Sequence, residues 1–271
     1  MKMKNELATF SLSVEELALC FSMINLPSLG QEFLRSVGSK LDPQQTEQRL
    51  IAAGHSLVAH ELAKINPGGT TVLDAGIELA LLPIARPDLV IQTIRTANKE
   101  HELQSIYYNS SRKLFTAQQV TGGVIHHFTH GGIDQLPKYL TGIFDGFGSG
   151  DPLEYKGESI DSEILGAIGA NIQNEVKIQD LLNSSKLSPS LKDKLAKDIL
   201  SNHLRGTIVF MEKNQENKST RVSSCMLLSG DENHWLFRYD QEPNSNGIRI
   251  FKAGKDSLQK AIDEIIDKLI K

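Results

Sequence analysis

From Gly206 onward the chain alternates polarity in four short runs and then changes period. Residues 207–212, 222–228, 234–239 and 248–251 have the alternation and the β-branched and aromatic content of strands. Residues 257–270 place Leu258, Ile262, Ile265 and Leu269 on one helical face. A period of two that gives way to one of 3.6 restricts this stretch to a strand meander closed by a helix.

The same order occurs once earlier, between residues 88 and 147. Residues 89–94, 103–108, 114–120 and 124–129 are strand-like, with turns at 98–100, 109–111 and 121–123. Asp134 then stands as a cap before a helix over 135–144. The ends of the two stretches align without a gap at an offset of 122 residues. Asp134 falls on Asp256, Leu136 on Leu258, Leu140 on Ile262, Ile143 on Ile265, and Phe128 on Ile250. The expected fold class is α+β: a duplicated unit of helices, antiparallel meander and helix, arranged about a pseudo-two-fold axis, with helices against one face of each sheet. The halves are 11–147 and 161–271. The stretch 148–160 links them, and the glycine-rich run 146–150, with Gly146, Gly148 and Gly150, lacks the Lys-Ser/Thr ending of a phosphate loop.

Helices precede each meander. Residues 1–10 are expected as an arm. Ser13 and Glu16 form a capping box, so a helix starts there and Pro27 ends it. A second helix covers 28–37. Asp42-Pro43 opens a third that runs to about residue 65, with Leu50, Ala53, Leu57, Val58 and Leu62 inward. A strand over 70–73 and a helix over 75–82 follow. Three helices and a glycine-containing hairpin make residues 11–82 winged-helix-like, which raises DNA binding as the alternative function. The charges argue against nucleic acid: the third helix offers Arg49 and Lys64 against Glu47 and Glu61, although Gln44, Gln45 and Gln48 are of a base-reading type. In the second half one helix is expected over 161–178 and another over 190–200, capped by Ser188-Pro189.

The net charge of −4 does not favour broad phosphate binding. Cys20 and Cys225 lie far apart in apolar settings and read as buried free thiols. No apolar run reaches transmembrane length and no leader precedes the first helix, so no membrane association is expected and the location expected is the cytoplasm.

No catalytic signature stands out, and no cofactor is implied. His126, His127 and His130 cluster in sequence. On a strand, however, His126 and His127 point to opposite faces, and His126 and His130 stand about 13 Å apart at roughly 3.3 Å per residue, too far to share an ion. The carboxylates near the end of the chain, Asp263, Glu264 and Asp267, sit with Lys268 as a solvated helix face does. Strand 234–239 is aromatic. Alternation sets Trp235, Phe237 and Tyr239 on one side and His234, Leu236 and Arg238 on the other. These residues are either sheet core or, as Trp235, Phe237, Tyr239 and Arg238 together, a face for a protein partner. A sheet edge left free would accept a partner strand or helix, a second copy of the chain included.

Residues 12–17 (Leu-Ser-Val-Glu-Glu-Leu), the helix Leu50-Ile51-Ala52-Ala53-Gly54-His55-Ser56-Leu57-Val58-Ala59-His60-Glu61-Leu62, and the duplicated meander-plus-helix give the chain a layout that resembles the EspG family of ESX (type VII) secretion-associated proteins. The resemblance covers nearly the whole chain. It implies two α/β halves about a quasi-two-fold axis and a cytosolic chaperone that holds PE–PPE secretion substrates. The expected function is therefore a non-enzymatic protein-binding protein whose partner is a secreted substrate.

Overall fold

The computed structural model describes residues 7–36, 42–97, 100–145, 147, 153–213, 218–240, 248–253 and 255–270. The elements in chain order are β1 (Ala8–Ser13), α1 (Val14–Met23), α2 (Pro27–Ser36), α3 (Pro43–Ala59), β2 (Ala63–Ile65), β3 (Thr71–Leu73), α4 (Ala75–Ala85), β4 (Leu89–Ala97), β5 (Glu100–Asn109), β6 (Leu114–Thr121), β7 (Ile125–Gly132), α5 (Leu136–Ile143), β8 (Leu153–Ile160), α6 (Ser162–Ala170), α7 (Glu175–Ser184), α8 (Pro189–Leu200), β9 (Leu204–Lys213), β10 (Ser219–Ser229), β11 (His234–Asp240), β12 (Ile248–Lys252) and α9 (Lys255–Ile270). The class is α+β with antiparallel sheet. Two compact units emerge, and they do not follow the expected halves 11–147 and 161–271. One comprises residues 1–88 and 104–133, the other 89–103 and 134–271.

In the first unit the strand order is β1-β7-β6-β5. Residues 8–10, expected as part of an arm, belong to β1: Phe10 and Leu12 alternate with Thr9, Ser11 and Ser13, and the strand pairs with β7 from Ala8↔His130 to Ser13↔Ile125. At its end the chain turns directly into α1 through the capping box. The Ser13 N–H donates to Glu16 Oε2 (2.7 Å) and the Glu16 N–H donates to Ser13 Oγ (3.2 Å). Pro27 opens α2 rather than closing α1, because its missing N–H costs nothing in a first turn. Gly30 allows α1 and α2 to touch, since a Cβ there would stand 2.5 Å from the Ala18 carbonyl oxygen. The third helix stops at Ala59, short of residue 65. Glu61 adopts a positive φ, and residues 63–65 pair with 71–73 as a two-stranded hairpin. α4 runs through Pro83 to Ala85. Leu12, Leu17, Phe21, Leu57, Leu81 and Phe128 belong to one core built from helices and sheet.

In the second unit the order is β4-β9-β10-β11-β12-β8. Residues 153–160, expected as linker, form β8, which pairs with β12; the glycines at 146, 148 and 150 and Pro152 lie outside the described residues. The expected helix over 161–178 breaks at 171–174 into α6 and α7. Asn174 caps the second through a bond from the Lys177 N–H to its Oδ1 (3.1 Å). At α5 the expected Asp134 cap is displaced by a 3₁₀ turn over Ile133–Gln135, and the helix begins at Leu136. α5 packs on α9, where Thr141 Oγ1 donates to Gln259 Oε1 (2.8 Å). Of the residues matched by the offset, Leu136, Leu140, Leu258, Ile262 and Ile265 are buried and Ile143 is half-buried.

The helices of this unit lie on both faces of its sheet. Trp235, Phe237 and Leu228 join a core with Leu165, Ile168, Leu195 and Ile199 of α6 and α8. On the other face Gly206 approaches Phe144 just past α5, and Arg238 bonds Glu264 of α9. Helices on both faces differ from the one-sided layer expected from the sequence, and water reaches the sheet on β4, where Gln92 and Ile94 are exposed. The two units share one connection rule. In each, the strand before the helices (β1 or β8) lies beside the last strand of the meander (β7 or β12).

Candidate functional site

The aromatic strand is placed as its alternation requires and is buried by what covers it. Trp235 is fully buried, Phe237 is buried and Tyr239 is half-buried against the α6–α8 core. Arg238, on the opposite side, is 3% exposed and donates to Glu264 Oε2 of α9. Trp235, Phe237 and Arg238 are therefore internal supports of their unit rather than anchors on an open face. The rule that aromatics with arginine make hot spots applies to exposed clusters, and this cluster is covered.

One buried carboxylate organises the end of that strand. Asp198, near the end of α8, is 1% exposed. Its Oδ1 accepts from the Glu232 N–H (3.1 Å) and the Asn233 N–H (3.2 Å). Its Oδ2 accepts from Asn233 Nδ2 (2.8 Å) and Trp235 Nε1 (2.9 Å). The β10–β11 turn is thereby fastened to α8. Gly230 fits only because it lacks a Cβ, which would stand 2.3 Å from Asp198 Cβ. Four donors on one carboxylate satisfy both of its oxygens in the interior. Sequence reasoning missed this role, because Asp198 sits among the Lys and Asp residues of a helix that reads as an ordinary solvated face.

The three clustered histidines lie on β7 and separate as the strand period predicts. His127 is exposed and hydrogen-bonded to Ser11 Oγ (2.8 Å). His126 and His130 are buried beneath the first unit's helices. His126 Nδ1 meets Gln118 Nε2 (2.6 Å), and His130 Nδ1 meets Thr116 Oγ1 (3.0 Å). Among the described residues no three His, Cys, Asp or Glu side chains stand close enough to hold a metal. Burial lowers the pKa of both His126 and His130 from the usual 6.5. Both are thus neutral when folded at pH values where the unfolded chain has begun to protonate them. The unfolded state then binds more protons, so stability is full above about pH 6.5 and falls as the pH drops below it. Urea midpoints are expected to fall between pH 7.5 and pH 5.5, and less steeply in His126→Gln. An unchanged slope in that variant would remove His126 from the account.

Cys20 and Cys225 are free and buried. Burial pushes the Cys20 thiol up to about 12, which makes it a poor nucleophile. In α3, Gln44, Gln45 and Gln48 are exposed, but Arg49 is bonded to Glu15 (3.1 Å) and Lys64 lies in the hairpin, beyond the helix. The helix therefore offers no free cation to phosphate, and a DNA-reading role finds no support in its chemistry. The first unit instead carries an open apolar groove between α2, α3 and the hairpin. Leu50, Ile51, Val58 and Ile65 line it, with Ile51 and Ile65 more than half exposed. No helix among the described residues is long and apolar enough to cross a membrane.

These features define an α+β scaffold with a covered sheet and an exposed aliphatic groove. No family model matches the sequence, and no curated protein matches it. Among solved structures the fold is similar to that of EspG5, the type VII secretion system chaperone of Mycobacterium tuberculosis, determined in complex with the PE25–PPE41 dimer. The TM-score is 0.64 at 8% sequence identity, and the likeness covers 96% of each chain. At that identity the likeness is one of fold.

Proposed function

We propose that this chain is a non-enzymatic, cytosolic protein-binding chaperone or adaptor that holds a client destined for secretion. The observation that carries the reading is the likeness in fold, over nearly the whole of both chains, to a chaperone solved with its PE–PPE dimer. The exposed aliphatic groove of the first unit supports it, because an apolar surface rimmed by polar residues is what a protein client would cover. The shared connection rule of the two units and the buried residues matched at an offset of 122 support an origin by duplication of one strand–helices–meander–helix unit.

The test uses the tagged chain in its native host. A partner is expected at fixed stoichiometry, and deletion of the chain should lower that partner's export while leaving other secreted proteins unchanged. A chain that purifies alone, together with an unaltered set of secreted proteins in the deletion strain, would overturn the reading.

A further inference from the structure

The second unit contains a cavity of about 300 Å³ that the chaperone reading does not use. Its wall is aliphatic: Leu165, Ile168 and Ile172 come from α6 and the turn after it, Ile199 from α8, and Met226 and Leu228 from β10. Its polar residues are Thr96, His101, Arg205 and Thr207, on β4, β5 and β9. Thr96 and Arg205 stand opposite each other in the β4–β9 ladder, and Thr96 Oγ1 lies 2.9 Å from His101 Nδ1. Arg205 is half-buried, and its side chain has no hydrogen-bond or ion-pair partner among the described residues.

From this geometry we infer that the cavity binds a medium-chain aliphatic carboxylate, with the alkyl chain among the isoleucines and leucines and the carboxylate on Arg205. A guanidinium drawn partly out of water beside an apolar wall is completed by an anion that also fills the wall. The volume lies at the small end of ligand pockets, which excludes a phospholipid and suits a single chain. The wall is branched aliphatic apart from Met226 and Phe237, so it offers an alkyl chain contact along its length and an aromatic ring little to stack on. A peptide strand is a poorer occupant, because β9 and β10 each have a partner on both sides and their backbone groups are already used in the ladder.

Titration with decanoate tests the inference, with decanol as the uncharged arm. Trp235 is the single tryptophan and shares a core with Leu228 and Phe237, so its emission reports the cavity, and calorimetry reads the same event independently. Decanoate is expected to saturate at one per chain, and decanol to bind about tenfold more weakly. Arg205→Gln should erase that difference while keeping decanol binding, which shows the fold intact. Thr207→Phe, which fills the cavity from β9, should abolish both. Failure of decanoate to saturate below its own aggregation concentration would overturn the inference. So would a preference for carboxylate that survives Arg205→Gln, or wild-type binding by Thr207→Phe.

Discussion

Replacing Asp198 with alanine is expected to destabilise the protein by about 3–5 kcal/mol in urea unfolding. The reason lies in what remains after the carboxylate is gone. The Glu232 and Asn233 N–H groups, the Asn233 amide and the Trp235 indole N–H all donate to it, around a side chain that is 1% exposed. Deleting the acceptor leaves donors without their partner in the interior, a larger cost than removing both sides of a bond. Asp198→Asn should recover only part of the loss, because one of its two groups becomes an NH₂ that faces donors. Equal stability of Asp198→Asn and the parent would show that the charge is not needed and would sink this account of the turn.

Trp235→Ala is expected to cost about 3–5 kcal/mol as well. Trp235 is fully buried, and its removal opens a void against α6 and α8 that neighbouring side chains fill only in part. It also takes away one donor from Asp198, so the double variant Asp198→Ala/Trp235→Ala should lose less than the two single losses combined. The measurement separates two roles for the aromatic strand. A partner anchor would leave stability nearly unchanged and weaken only association; a core residue lowers the urea midpoint of the isolated chain. Exact additivity in the double variant would mean that the indole and the carboxylate act separately.

The strands and the closing helix were legible because their signals are local. Residues 207–212, 222–228, 234–239 and 248–251 lie inside β9, β10, β11 and β12, and α9 begins at Lys255 against an expected 257. The capping box at Ser13–Glu16 and the Asp42 cap were read for the same reason, since a cap is complete within three or four residues. The misses have a common cause. β1 and β8 are each paired along one side by a partner distant in the chain, and nothing within their own residues announces that partner. The break between α6 and α7 falls in a polar stretch that fits either one helix or two until the core on each side is packed.

Side-chain alternation on β11 placed Trp235, Phe237 and Tyr239 on one side and Arg238 on the other, and both assignments hold in the structure. What alternation could not convey is that α6 and α8 cover the first side and α9 covers the second. The period of a strand is a property of its own backbone. The burial of a strand depends on elements that arrive from far along the chain. The same division applies to Asp198, whose helix was readable while the donors 34 to 37 residues away were not. Local patterns established the elements, their caps and the facing of their side chains. Long-range packing established which of those faces meet water, and so why the aromatic strand is a support rather than a surface.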